Sequence, residues 1–284
     1  MPEQELKVLG LSRRQLLTIG AAVGLVALGC SKEQIDQITQ QINNRPVRRD
    51  IATLGSTDPI VETWKNGVAA MKALPSTDPR NWLRQWDLHT TQAQHGNWLF
   101  LPWHRAYLYY HEEIIRQLTG DNGFALPYWN WTANRTIPAI FTDTSSPLFH
   151  SGRTATGSIN SAFVGQPVID QILDEPNFAV FSPRTSKGRL EATPHDLVHG
   201  YVGGDMGLVN RSPRDPIFYA HHNRVDEVWA EWNLLREHPN TSDGAWSGAK
   251  FTEFVDRNGN PATMSTIGTV LMPLLSYRFD TQVV

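Results

Sequence analysis

Apolar residues recur at helical spacing after Asp58 and Pro59, a pair of residues that is typical of a helix start. Pro75 interrupts the pattern, because proline lacks the amide N–H that a helix interior needs. The sequence therefore predicts a helix from Pro59 to just before Pro75, with one apolar face toward a core. The residues of that face are Ile60, Val61, Trp64, Val68 and Met71.

Three further helices are predicted by similar signals. One should begin at Pro102 and run to about Leu118, with Gly120 after its end. Thr193 and Pro194 suit the N-cap and first position of another, and an Asp-Pro pair opens a fourth over 215–236.

Between these helices the chain over 129–183 is rich in Thr, Ser, Pro, Gly and Asn, which predicts mostly loop. Short strands are expected there and near the C-terminus, although no clear alternating pattern marks them. The fold class is therefore mainly α, with long loops and minor short strands.

Composition narrows the functional classes. The 284 residues suit one sizeable domain, and 40% hydrophobic residues are enough to bury a core. Twenty-five basic against 28 acidic residues give a net charge of −3, which argues against nucleic-acid binding. The single cysteine, Cys30, excludes an internal disulfide framework and a cysteine-rich metal site.

The N-terminus carries paired arginines followed by an apolar run over 16–29, shorter than the roughly 20 residues that span a bilayer. This pattern predicts an export signal of the twin-arginine type over 1–29, and hence a periplasmic or extracellular protein. A buried N-terminal helix is the alternative. Cys30 follows Gly29 as at a lipoprotein cleavage site, but Ala27 is a poor match there, so a lipid anchor at Cys30 stays open.

Residues 30–46 are rich in Gln and Asn and predict a tether. Residues 47–284 contain no repeat or low-complexity break and are expected to form one domain.

Six of the ten histidines fall into two clusters. His195 and His199 are four residues apart, so on a helix they share one face at about 5–6 Å and can hold one metal ion. His222, early in the next predicted helix, could supply the third ligand, and the roughly 100° between His221 and His222 lets only one of them face the metal. The other cluster is His89, His95 and His104.

The isolated histidines His111, His150 and His238 are interpreted as ordinary core or surface residues. His111 lies seven residues after His104, about 10 Å along the same helix, and cannot share its metal. Imidazole-only ligand sets suit copper or zinc, and spacing alone leaves both open.

Three stretches around these histidines, 95–110 (HGNWLFLPWHRAYLYY), 191–199 and 215–229 (DPIFYAHHNRVDEVW), resemble the copper motifs of the tyrosinase and polyphenol oxidase family. That family of type 3 dicopper proteins includes the haemocyanins, and the resemblance extends from about Arg48 to Tyr277. It implies a four-helix bundle core holding a dicopper site, with three histidines on each copper and O2 between the two.

The resemblance assigns ligands residue by residue. His95 and His104 match the first copper's second and third ligands, and His195, His199 and His222 match the second copper's three. The family usually places the remaining ligand further upstream than His89, yet residues 1–88 contain no histidine. If three histidines hold the first copper, His89 must be one of them.

Several positions depart from relatives or carry other roles. Ala93 and Gln94 precede His95 without a cysteine, so the thioether crosslink found in some relatives cannot form. Plant relatives place a phenylalanine thirteen residues before the last ligand, where this chain has Val209, which implies a more open entrance to the substrate pocket.

Two carboxylates near the second copper are the catalytic candidates. Glu191 matches a glutamate that holds a water near the copper in many relatives. Asp196 stands where several tyrosinases have Asn, a position thought to influence phenol hydroxylation, although it would also favour the dipole of a helix capped by Thr193. Asp226 could orient an imidazole, or it could be a surface partner for Arg224 or another basic residue.

The predicted function is therefore a copper oxidase that uses O2 to convert phenols and catechols to o-quinones. The phenol would dock on the His199 and Val209 side, with Glu191 as proton acceptor and Asp196 assisting. Alternatives are a catechol or o-aminophenol oxidase with little hydroxylase activity, a haemocyanin-like O2 carrier, or a zinc hydrolase. No in-chain lid is expected after Tyr277, and a separate protein could deliver copper.

Overall fold

The computed structural model describes residue 33 and residues 44–282, and helices dominate this part of the chain. The helices are α1 (Pro59–Ala73), α2 (Trp82–Gln92), α3 (Phe100–Thr119), α4 (Ser161–Val164), α5 (Gln166–Leu173), α6 (Phe178–Phe181), α7 (Asp196–Val202), α8 (Ile217–Ala230), α9 (Gly244–Ser247) and α10 (Thr266–Leu275). The strands are β1 (Val47–Arg48), β2 (Lys250–Val255), β3 (Pro261–Ser265) and β4 (Arg278–Phe279). The expectation of a mainly α fold is confirmed.

Shorter helical turns join these elements. The 3₁₀ turns are Ile51–Thr53, Ala139–Phe141, Gly204–Gly207 and Ser212–Arg214, and the π-helical turns are Glu191–His195 and Glu231–Leu235. The strands form two small pairs: β1 runs parallel to β4, and β2 pairs antiparallel with β3. The strands therefore join the two ends of the domain and form one hairpin, while the helices build the core.

Three of the predicted helices are confirmed with small shifts at their ends. The Asp58 side chain caps α1 by accepting from the amide of Ile60 at 2.9 Å. Helix α3 begins at Phe100, two residues before Pro102, whose missing N–H costs nothing in the first turn. Gly120 ends α3 in the left-handed conformation, and α8 continues through its π-helical turn to within one residue of Arg236.

The backbone supports the cap predicted at Thr193, because Thr193 has extended φ/ψ at the kink between two helical segments, as an N-cap residue does. No cap hydrogen bond from its side chain occurs among the described residues. Asp196, three residues later, is the first residue of α7. Its carboxylate has specific side-chain partners, described below, in addition to the helix dipole.

The sequence patterns gave no prediction for α2, which carries His89. Asn81 caps this helix by accepting from the amide of Leu83 at 2.9 Å. The expectation of mostly loop over 129–183 is confirmed, with only short helices inside it. The short strands expected there do not occur among the described residues of that stretch, whereas those expected near the C-terminus are β2, β3 and β4. Helices α2, α3, α7 and α8 bring histidines into one interior.

Among the described residues, no helix combines the length and the apolar character needed to cross a bilayer. The predicted export signal over 1–29 and Cys30 lie outside the described residues, as does most of the predicted tether.

A buried ionic network ties β1 to the helical core. The Arg48 guanidinium is fully buried and donates to Glu112 on α3 and to Asp226 on α8, both at 3.0 Å. It also lies 3.5 Å from the ring centroid of Tyr277, whose hydroxyl donates to Asp226. Arg105 donates to the other oxygen of Asp226. The network thus links the first and last strands of the domain through the core.

Asp226 pairs with basic residues, as one of the two sequence alternatives expected, but not at the surface and not with Arg224: its carboxylate is buried and bound to Arg48, Arg105 and Tyr277. No imidazole contacts it among the described hydrogen bonds, and Arg224 pairs with Glu227 instead.

Replacing Arg48 with methionine is expected to lower the free energy of unfolding by about 3–5 kcal/mol, because two buried carboxylates lose a partner. Urea unfolding followed by circular dichroism would measure the change. The matched control is Arg49→Met. The Arg49 side chain is 38% exposed, and its ion pair with Asp58, at 3.5 Å, contributes at most about 1 kcal/mol because solvent screens it. Equal losses in both variants would contradict the role given to the buried network.

Candidate metal centre

Three of the predicted ligands converge from three segments. His89 lies on α2, His95 in the loop that follows, and His104 on α3. The Nε2 atoms of His89 and His104 are 3.4 Å apart, and the ring centroid of His95 is 5.3 and 4.9 Å from those two rings. These three side chains, called the first trio here, could hold one metal ion.

The second trio consists of His195, His199 and His222. The Nε2 atom of His222 lies 3.3 Å from that of His195 and 3.1 Å from that of His199. The spacing of four residues places His195 and His199 on one face, as the sequence predicted, and α8 supplies the third ring.

The two trios face each other across a short gap. The rings of His104 and His222 stack with centroids 4.5 Å apart and an interplanar angle of 17°. His95 and His195 bring a second pair of rings to 6.3 Å. Two metal ions held by these trios would therefore be neighbours in one buried centre.

Hydrogen bonds fix which ring nitrogen faces inward. The Nδ1 atoms of His104 and His199 each lie 2.8 Å from a backbone carbonyl, of Phe100 and Met206 respectively. A carbonyl only accepts, so Nδ1 carries the proton and the Nε2 lone pair points into the trio. Lone pairs that face one another at 3.1–3.4 Å repel unless a cation lies among them. The donor set therefore fits two metal ions.

Burial keeps the rings neutral. Burial is the largest influence on each ring of the two trios and lowers its pKa, for His95 to about 4. Neutral imidazole is the form that binds a metal ion, so the site is prepared for metal near neutral pH.

His221 departs from the sequence expectation, because it also reaches the second trio. Its ring stacks on that of His195 at 5.3 Å, and the indole N–H of Trp131 donates to its Nδ1 at 3.2 Å. When Nδ1 of a neutral imidazole accepts a hydrogen bond, the ring proton is on Nε2. The Nε2 atom of His221 then has no lone pair for a metal ion. His221 and His222 differ by about 100° around α8, but the imidazole side chain is long enough for both rings to reach the second trio. Because Trp131 occupies Nδ1 of His221, His222 is the better ligand of the two.

The isolated histidines lie outside both trios, within the part of the chain that the structure describes. His111 is buried and stacks on Tyr219 with centroids 3.7 Å apart. His150 contacts Asp205, and His238 contacts the carbonyl of Leu173.

Glu191 connects the segments that carry the two trios. Its Oε1 accepts from the amide of Gly96, next to His95, at 2.6 Å. Burial raises the pKa of the carboxyl to about 7, because the hydrogen bond from Gly96 and the charge of Lys187 compensate it only partly. Such a group can exchange a proton near neutral pH.

Asp196 is held by two partners. One oxygen lies 3.0 Å from Nδ1 of His195, and the other accepts from the ammonium of Lys187 at 2.5 Å. Burial opposes ionisation, but these hydrogen bonds lower the pKa of Asp196 to about 2. Asp196 is therefore a permanent anion that helps to orient the ring of His195.

Val209 lies at the surface, with 63% of its side chain exposed. It stands three residues after Met206, whose carbonyl orients His199, and the neighbouring Leu208 is also exposed. This segment therefore carries two exposed apolar side chains a short way along the chain from a contact to the second trio.

Two further residues at the site were missed by the sequence analysis. Phe218 stacks on His222 with centroids 4.0 Å apart, and Phe100 lies 4.7 Å from His104. Each phenylalanine precedes its histidine by four residues on a helix, a spacing that could have revealed them. Their rings shield the imidazoles from water.

The sequence is similar to one family model and to several curated plant enzymes. The family model described as the common central domain of tyrosinase matches residues 66–163 and 150–235. Polyphenol oxidase A1 of Vicia faba is 31% identical over 84% of this chain and 48% of its own length. The (+)-larreatricin hydroxylase of Larrea tridentata is also 31% identical, over 84% of this chain and 50% of its length. The chain spans about half the length of these curated relatives.

Solved structures show the same fold. The crystal structure of Grenache (Vitis vinifera) polyphenol oxidase superimposes with a TM-score of 0.73 at 27% identity, and the match covers 84% of this chain and 85% of that one.

Proposed function

The chain belongs to the tyrosinase family, and we propose that it is a dicopper oxidase that uses O2 to convert phenols and catechols to o-quinones. One observation carries the proposal: two trios of imidazoles face each other, with His104 stacked on His222 at 4.5 Å. Tyrosinase-family proteins carry a dicopper centre, and this donor set fits one.

In the proposed enzyme, His89, His95 and His104 would hold one copper, and the second trio would hold the other. The copper pair, when bound, supplies the two-electron chemistry with O2. The protein contributes rings whose tautomer is fixed in advance, in a pocket from which aromatic side chains exclude water.

The phenol would dock on the side of His199, with its ring against Val209 and Leu208. We assign the proton acceptor to Glu191, because its carboxylate lies beside both trios and one of its oxygens is not used by Gly96. Asp196 would assist by holding the ring of His195 in place.

A catechol or o-aminophenol oxidase with little hydroxylase activity is the second candidate. The observation that favours it is the engagement of Asp196 by Lys187 and His195, which leaves Glu191 as the sole acceptor for the phenol proton among these carboxylates. Catechol oxidation is expected to depend less on such a base, because a catechol already carries both oxygens and reaches the o-quinone by losing two electrons and two protons, with no oxygen inserted into the ring.

The decisive experiment measures copper per chain together with the rates of O2 uptake on 4-methylphenol and 4-methylcatechol. The proposal expects two coppers per chain and quinone formation from both substrates. Turnover of the catechol alone would select the second candidate. Reversible O2 binding without turnover would indicate a haemocyanin-like carrier, and bound zinc without O2 chemistry would contradict the oxidase proposal.

For the rest of the chain we propose that residues 1–29 direct export to the periplasm or beyond the cell, with a lipid anchor at Cys30 after cleavage. Residues 30–46 would be a tether and 47–284 the catalytic domain. A separate protein could deliver copper to the trios.

A further inference from the structure

Lys187 is held beside the candidate metal centre by a tightly packed loop. The next residue, Gly188, lies against the carbonyl of Phe181, where a Cβ atom would collide with that oxygen. The carbonyl of Gly188 in turn accepts from the amide of Ala192 at 2.9 Å. The backbone at Lys187 therefore has a defined position between α6 and the turn that carries His195.

The side chain of Lys187 reaches the second trio through one intermediate residue. Its ammonium donates to Asp196 at 2.5 Å, and the other oxygen of Asp196 lies 3.0 Å from Nδ1 of His195. Burial and the neighbouring His195 lower the pKa of His95, and the charge of Lys187 adds to that lowering. The cation is thus close enough to influence a ring of each trio.

The Lys187 ammonium has N–H groups that are available to bind a ligand. An ammonium has three N–H groups, and the hydrogen bond to Asp196 uses one. No other hydrogen bond of Lys187 occurs within residues 44–282, and its side chain is 43% exposed. Two N–H groups can therefore meet a carboxylate that approaches from solvent.

The neighbouring ring of the second trio can be reached from solvent. His199 is only partly buried, whereas His195 and His222 are buried, and the rings of His195 and His199 have centroids 4.6 Å apart. A molecule at this trio can therefore place an aromatic ring against His199 and an anionic group on the side of Lys187.

We propose that Lys187 is a specificity-determining residue that binds the carboxylate of phenolic acids while their ring docks beside His199. The inference rests on the proposed oxidase function and narrows its substrate class to phenols that carry a carboxylate on a short chain. A neutral phenol would bind only through the contact of its ring with the His199 side of the second trio.

Arg184 provides a matched control on the same loop. Its guanidinium lies 4.6 Å from the ring centroid of Trp98 and 3.7 Å from Asp243, and it makes no described contact with Asp196. Each of these two residues carries one positive charge on this loop, so a difference between their variants separates contact at Lys187 from the loss of a charge from the loop.

The test compares kcat/KM for 3-(3,4-dihydroxyphenyl)propanoate with that for its methyl ester. In Lys187→Met the ratio of acid to ester is expected to fall about threefold to tenfold, mainly through KM, while Arg184→Met keeps the ratio of the parent protein. Lys187→Arg should restore most of the ratio, and raising the salt concentration should shrink the ratio in the parent protein and in Arg184→Met but not in Lys187→Met. An unchanged ratio in Lys187→Met, or an equal fall in Arg184→Met, would overturn the assignment.

A binding measurement separates this inference from the proposed function. Calorimetry of the copper-loaded protein with benzoate and with benzamide needs no turnover, and Lys187→Met should weaken benzoate binding alone. If neither the acid nor the ester is oxidised by the parent protein, the oxidase proposal fails. If the ester is oxidised normally but benzoate binds equally to parent and variant, only the role of Lys187 fails.

Discussion

Replacing His89 with alanine is expected to reduce the copper content from two ions per chain to one and to bring phenol oxidation down to background. His89 supplies one of three imidazoles in the first trio, and its ring is buried with no hydrogen bond on Nδ1. Two imidazoles alone hold copper much more weakly, and single-ion protein lacks the paired site that two-electron chemistry with O2 requires. Metal analysis after dialysis, with O2 uptake on 4-methylcatechol, measures both effects.

The matched control is His111→Phe. His111 is also a buried histidine, but it lies outside both trios, and its two ring nitrogens have no hydrogen-bond partner in the part of the chain that the structure describes. Phenylalanine preserves the stacking on Tyr219 and removes unsatisfied polar atoms, so this variant should keep two coppers and at least the parent stability. If His89→Ala kept both coppers and full turnover, the first trio would be wrongly assigned.

Local patterns were sufficient where local chemistry determines the structure. The cap at Asp58 and the left-handed end at Gly120 depend on neighbours within a few residues, and both were predicted. The pairing of His195 with His199 follows from the helical repeat in the same way. The facing of the two trios came from the family resemblance, because no pattern along the chain encodes the distance between α3 and α8.

The failures share one cause, a partner distant in the sequence. Asp226 appeared to be a surface or imidazole-orienting residue, but Arg48, 178 residues away, determines its role. Helical geometry was expected to let only one of His221 and His222 face the metal, yet His221 also packs on His195, while Trp131, 90 residues away, binds its Nδ1. The sequence shows that these charged and aromatic residues are present, but it does not show which of them are in contact in the folded protein.

Glu191 has a pKa of about 7 because burial disfavours its charge. As the pH falls through 7, the carboxylate takes up a proton and can no longer accept one from a phenol. The rate on a monophenol is therefore expected to fall about tenfold per pH unit below 7, while the rate on a catechol falls less. A monophenol must lose its proton before hydroxylation, and in the proposed mechanism Glu191 receives it.

Replacing Glu191 with glutamine should lower the rate on 4-methylphenol by about 10²–10⁴-fold and the rate on 4-methylcatechol much less, because an amide cannot accept the proton. The amide oxygen can still accept from Gly96, so the loop that carries His95 should keep its position. Stopped-flow rates between pH 5.5 and 8.5 would measure the loss and would show whether the step near pH 7 disappears with it. Equal losses on both substrates, with copper content unchanged, would remove Glu191 from the role of base and leave it as a residue that positions the first trio.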